Sequence, residues 1–214
     1  MFRKTLSRFL MLTFGFCVLG FAPVHAAGVS FLGGVSMTNT HTANLPTKDP
    51  IYRGTFGADL DFGMVPLLGL ETGLYYQIRG FATPQAQLSV TVRSTYESAQ
   101  YLTVPVLLRL TVVPGFLKVG LGPYFSYAMS DFLTSTTSSS GAQTKSDQTF
   151  SLANRNKFDF GALASVRGFM PVAPLVDVVA DVRFQYSLFN LTTNPNLVQK
   201  YYDLSFMLGA RIGF

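Results

Sequence analysis

Along most of this chain, apolar residues alternate with small or polar ones at a period of two, in segments of about ten residues or more. A β-strand sends successive side chains to opposite faces, so each segment reads as a strand with one apolar face. Eight segments fit: 28–37, 53–62, 67–80, 101–111, 116–130, 157–167, 175–188 and 202–214. In the last, Tyr202, Leu204, Phe206, Leu208, Ala210, Ile212 and Phe214 form the apolar set. Asp203, Ser205, Met207, Gly209, Arg211 and Gly213 form the other.

The connections also alternate. Residues 63–66, 112–115 and 168–174 are short and rich in Gly and Pro, whereas 38–52, 81–100, 131–156 and 189–201 are long and polar. An even number of strands, with short turns at one end and long loops at the other, predicts an all-β fold. It is an eight-stranded antiparallel up-and-down transmembrane β-barrel with periplasmic turns and extracellular loops. Leu88, Val90 and Val92 continue the alternation, so the third and fourth strands are expected to extend as a hairpin above the membrane. The Ser/Thr-rich run 135–140 in the third long loop is expected to be mobile and of low complexity.

A soluble barrel would alternate too, with its apolar face inward. Two arguments put the apolar face outward here. It contains no Asp, Glu, Lys or Arg, with Thr72 its most polar clear member, as a lipid face requires when Arg or Lys at mid-membrane costs about 2–4 kcal/mol. It is also too bulky for the interior of an eight-stranded barrel, which side chains just fill. The opposite set supplies the glycines a crowded interior needs, among them Gly57, Gly73, Gly120, Gly122 and Gly209.

That inner set carries charge of both signs. Its acids are Asp59, Asp61, Glu71, Asp159, Asp177, Asp181 and Asp203, and its bases Arg53, Arg79, Arg109, Lys118, Arg167, Arg183 and Arg211. Buried charges persist when paired and hydrogen-bonded, so a nearly neutral ion-pair network is expected to plug the lumen. A ring of unbalanced charge would have pointed to a selective pore.

Composition and the N-terminus narrow the function. Arg3, Lys4 and Arg8 precede the apolar run 9–22, and Val24-His25-Ala26 offers a small-residue cleavage site. Residues 1–26 thus read as a cleaved signal peptide, with 27–214 as the outer-membrane barrel domain. Cys17 leaves with the leader, so neither disulfides nor thiol chemistry is expected. Loss of the leader's three bases leaves 13 basic against 11 acidic residues, too balanced to indicate nucleic-acid binding. No later apolar run is long enough for a helical span. No soluble domain is expected on either side of the barrel.

Catalytic and cofactor chemistry is not expected. His41, in the first long loop, is the lone histidine after the leader, and no nucleophile elbow, phosphate loop or metal-spaced cluster is found. Asp59 and Asp61, two apart on one strand face, have the spacing of paired carboxylates, but pairing to Arg accounts for them better.

The closing segment, with its terminal Phe214, resembles the C-terminal strand of bacterial outer-membrane barrels, where the final Phe belongs to the assembly signal. The stretches Tyr101-Leu102-Thr103-Val104-Pro105-Val106-Leu107-Leu108-Arg109 and Lys118-Val119-Gly120-Leu121-Gly122-Pro123-Tyr124 resemble the PorT-like outer-membrane β-barrel family, found mainly in Bacteroidetes-type bacteria. So do Phe158-Asp159-Phe160-Gly161 and Leu208-Gly209-Ala210-Arg211-Ile212-Gly213-Phe214. The resemblance accounts for Pro105, awkward in mid-strand, since the family commonly has a proline there. It implies an eight-stranded barrel, some of whose relatives are linked to protein secretion, and carries over no functional residue.

The expected role is structural, adhesive or accessory, seated in the long loops. The alternatives are a narrow channel, a secretion-associated barrel, or a membrane-rim lipid enzyme using His41. Expected partners are outer-membrane lipid, the barrel assembly machinery through the terminal strand, and an extracellular or secretion partner through the loops.

Overall fold

The computed structural model describes residues 27–43, 48–65, 67–88, 91–130, 132–139, 143–150, 155–193 and 198–214. The expected leader lies outside them, as do Val90 and Ser140. Ten strands form: β1 (Ala27–Ala43), β2 (Ile51–Val65), β3 (Leu68–Leu88), β4 (Thr91–Val113), β5 (Leu117–Ala128), β6 (Phe132–Ser139), β7 (Gln143–Phe150), β8 (Phe158–Ala173), β9 (Val176–Ser187) and β10 (Val198–Gly213). Eight of them pair antiparallel in the order β3-β2-β1-β10-β9-β8-β5-β4, and β4 pairs back onto β3, which closes the ring. The last strand meets the first from Gly28↔Gly213 to Ala43↔Val198. Closure leaves no strand edge of the ring unpaired, as hydrocarbon demands.

The direction of the two faces is plain along β10. Phe206 and Leu208 are 56% and 67% exposed, whereas Ser205 and Met207 beside them are 0% and 2% exposed. The apolar face is therefore the outer one, and the small and charged face fills the interior.

Pro105 has no N–H to donate, and the β3–β4 ladder is interrupted beside it, passing from Thr72↔Val106 to Tyr75↔Thr103. Thr72, the most polar residue of the outer face, donates its hydroxyl to the Pro105 carbonyl at 3.0 Å. The irregularity and the polar side chain thus satisfy each other. At the short-turn end, Gly115 supplies the left-handed backbone (φ 76°) of the β4–β5 connection, and Leu175 adopts a similar one (φ 65°) between β8 and β9.

Strands β3 and β4 extend beyond the ring as the alternation of Leu88 and Val92 predicts, pairing as far as Leu88↔Thr91. The third long loop differs from expectation. Residues 135–139 lie in β6, which pairs with β7 and with β4 from Val92↔Ser139 to Ser98↔Leu133. The reason is a vacant edge. Strand β5 pairs with β4 only from Tyr101↔Ala128 downward, so the backbone groups of β4 above that point need partners. A Ser/Thr segment, containing β-branched threonines, supplies them.

Candidate functional site in the barrel lumen

The inward side chains stack in layers from the short-turn end to the long-loop end. Nearest the turns, Arg211 on β10 reaches both oxygens of Asp61 on β2 (2.9 and 3.0 Å) and Asp177 on β9 (3.2 Å). Lys118 on β5 donates to the same Asp61 at 3.2 Å. Both cations lie over the Phe169 ring, 5.1 Å (Lys118) and 5.9 Å (Arg211) from its centre. A cavity of about 350 Å³ opens here, lined by these charged groups and by Pro114, Phe116 and Pro171 of the turns.

The next layer sets three arginines against three carboxylates. Arg167 on β8 bonds Asp59 (2.7 Å), Glu71 (2.9 Å) and Asp181 (2.6 Å). Arg183 on β9 bonds the same three at 3.2, 3.1 and 2.9 Å. Arg109 on β4 grips Glu71 with two nitrogens (2.7 and 2.8 Å) and bonds Ser165 at 2.8 Å. Tyr75 donates to Asp59, and its ring lies 4.2 Å from the Arg183 guanidinium. All six charged groups are at most 2% exposed. Glycines make room for the guanidinium groups. A Cβ at Gly28 would fall 2.5 Å from Arg211 Nη2, and one at Gly120 would fall 2.8 Å from Arg109 Nη1. Leu32, Val179 and Met207 pack against Tyr75 in the same part of the barrel, so charge is embedded in apolar filling.

Toward the loops, Arg79 on β3 bonds Asp159 on β8 and Gln77, each at 2.8 Å, and also Gln185. It is held between the rings of Tyr101 and Tyr124, at 5.4 and 5.0 Å. Above it Phe81, Tyr101, Leu191 and Tyr201 form an apolar cluster, with an Arg155–Glu97 ion pair beside it.

Two inner-set residues stand apart from these ion pairs. Arg53 is exposed and bonds the Tyr52 carbonyl at 3.0 Å. It lies near the loop end of β2, where its long side chain reaches solvent. Asp203 is 1% exposed, yet it meets no cation among the described residues. Three hydroxyls hold it instead: Ser36, Thr38 (2.7 Å) and Ser205 (2.6 Å). The strand register decides this, because Thr38 is the residue paired with Asp203 across the β1–β10 seam.

Reading charges alone also overlooks the neutral groups that complete each layer, such as Ser165, Ser187, Gln77, Gln185, Tyr75 and Tyr124. Their signal was available, since they share the inward parity of the charged residues beside them. His41 is exposed near the loop end of β1. Asp59 and Asp61 are each committed to two cations.

A closed ring of antiparallel strands with an apolar exterior and a polar, ion-paired interior defines the class of small outer-membrane β-barrels. The sequence matches the family described as outer membrane protein beta-barrel domain over residues 20–193. The chain belongs to that family, and it is an integral outer-membrane protein. No curated protein matches it. Among solved structures it is similar to a major outer membrane protein from Thermus thermophilus, at 14% identity and a TM-score of 0.45. It is similar to Ail, the attachment invasion locus protein of Yersinia pestis, at 10% and 0.43, and to Neisserial surface protein A at 14% and 0.42. Each of these comparisons covers 88% of this chain and 99% of the other.

Proposed function

We propose that this protein is a non-catalytic, non-conducting barrel that acts through its extracellular end in a structural, adhesive or accessory role. One observation carries the reading: the lumen is crossed by layers of side chains that bond one another from opposite walls. The central arginines bridge β2, β3 and β9, so a solute would have to break several buried ion pairs to pass. The cavity near the turns reaches inward only to Arg109. With the interior filled, the long-loop end offers the material for recognition, namely the extended β3–β4 hairpin and the β6–β7 hairpin attached to it. Placement among the PorT-like barrels is the finer form of this proposal. It rests on the stretches around Pro105, Gly120 and Gly209, and brings with it a secretion or cell-surface partner at the loops. Lipid around the apolar belt and the assembly machinery at the terminal strand complete the proposed partners.

Single-channel recording in planar bilayers tests the reading. The expected trace shows no stepwise conductance with the purified protein. Stable, uniform steps would overturn the filled-lumen proposal in favour of a narrow channel.

A further inference from the structure

The sheet that stands above the ring ends in an open edge. From Val92 to Ser98, β4 pairs with β3 on one side and β6 on the other, β6 pairs with β7, and β7 is the last strand in the order. Among the described residues, no strand pairs with the far side of β7. Such an edge presents backbone N–H and C=O groups in a row and is a template for one more strand.

Exposed edges are commonly blunted by lysine or proline. Strand β7 contains no proline, one lysine, Lys145, and one acid, Asp147. That spacing is complementary to itself. Two antiparallel copies of β7 related by a two-fold axis place one residue opposite its own counterpart. With Ser146 at the axis, Lys145 of each copy stands opposite Asp147 of the other. Moving the axis by one residue sets Lys145 against Lys145, or Asp147 against Asp147. Opposite charges across a strand pair stabilise it and like charges destabilise it, so charge favours the register centred on Ser146.

Geometry then fixes where the second copy sits. Strand β7 runs parallel to β4, by way of antiparallel β6, and β4 is a ring strand that crosses the membrane. A two-fold axis perpendicular to the sheet turns the second copy upside down. Its barrel therefore lies in a facing membrane, and the two four-stranded extensions join into one sheet. Side-by-side copies in a single membrane would bring their β7 strands together parallel, with like charges level.

We propose that β7 is a homophilic adhesion edge, which pairs antiparallel about Ser146 with β7 of a second copy in an apposed outer membrane. The proposal rests on the reading that the extracellular end acts in adhesion, and it names the partner as this same chain. One polar edge of 8 residues makes a weak contact, and many copies across a membrane gap reinforce one another through multivalency.

The test follows the turbidity of phosphatidylcholine vesicles carrying the purified barrel, in which copies with outward-facing loops pair across the gap. Vesicles with the unsubstituted barrel should cluster among themselves and leave protein-free vesicles dispersed. Lys145→Asp and Asp147→Lys should each lose self-clustering, since each leaves a single sign of charge at both positions. Mixing these two populations should restore clustering, as should combining both substitutions in one chain. Replacing residues 132–150 by a Gly/Ser linker removes the edge and should abolish clustering. Dispersed vesicles of the unsubstituted barrel overturn the proposal, as does undiminished self-clustering in either single variant or in the linker variant. A mixture of the two single variants that stays dispersed overturns it too. Dispersed vesicles together with a silent bilayer recording strike the homophilic partner and leave the proposed function standing.

Discussion

Arg167 shows how much of this protein's interior rests on single side chains. From β8 it reaches carboxylates on β2, β3 and β9, and it is 1% exposed. Its replacement by methionine would leave Asp59, Glu71 and Asp181 with two arginines instead of three. Removing one partner from a buried ionic cluster costs about 3–5 kcal/mol, because the stranded charge keeps its desolvation penalty. Arg167→Met is therefore expected to lower stability by that amount, read as a shift in urea unfolding of the reconstituted barrel. At this scale, the sequence placed Arg167 and its partners on one face by parity alone. It could not say that Arg167 meets three acids or that Asp203 is held by three hydroxyls. Those pairings join residues as far apart as 108 and 165 positions, and depend on the register and curvature of the whole sheet.

The strands divide into those that make the ring and those added to it. Among the described residues, β6 pairs with β4 above the point where β5 departs and β7 pairs with β6, and the pairing of the eight ring strands is complete without them. Replacing residues 132–150 by a short Gly/Ser linker should leave the unfolding midpoint of the barrel unchanged within error. A large loss of stability would show that the hairpin is part of the barrel's foundation. On the ring itself, the outer face of β10 is the sensitive one. Leu208→Arg, at a 67% exposed outward position, is expected to cost about 2–4 kcal/mol in lipid where it lies near the bilayer midplane. Titration of the reconstituted variant with urea reads that loss. Alternation predicted all eight ring strands, with ends displaced mostly toward the loops. It missed β6 and β7 because a Ser/Thr-rich segment has no apolar face to announce it; only the vacant edge of β4 calls it into a sheet.

At the level of the molecule, a closed ring without free edges and a cross-linked interior should unfold cooperatively and slowly. The purified protein in detergent is expected to run as a compact species on a gel when unheated and as an extended one after boiling. Its circular dichroism spectrum should be dominated by β-structure; a helical spectrum would contradict the fold. Closure also explains why the proposed activity falls to the loop end. The walls face lipid and the central layer is held by buried ion pairs, so the proposal seats recognition at the rims, of which the loop rim carries the longer connections.

The chain by itself determined the strand count of the barrel, the face that meets lipid, and the parity of the residues opposite that face. Each of these follows from period-two alternation and from the cost of placing charge in hydrocarbon, and both are local properties. Tertiary structure alone decided which acid answers which base, that Arg53 escapes to solvent, and that residues 132–150 form a hairpin. It also left Asp203 facing hydroxyls across the closing seam. The surroundings of Asp203 are set when β10 pairs with β1, the hairpin by the vacant edge of β4, and the ion pairs by the registers that bring distant strands to one level of the barrel.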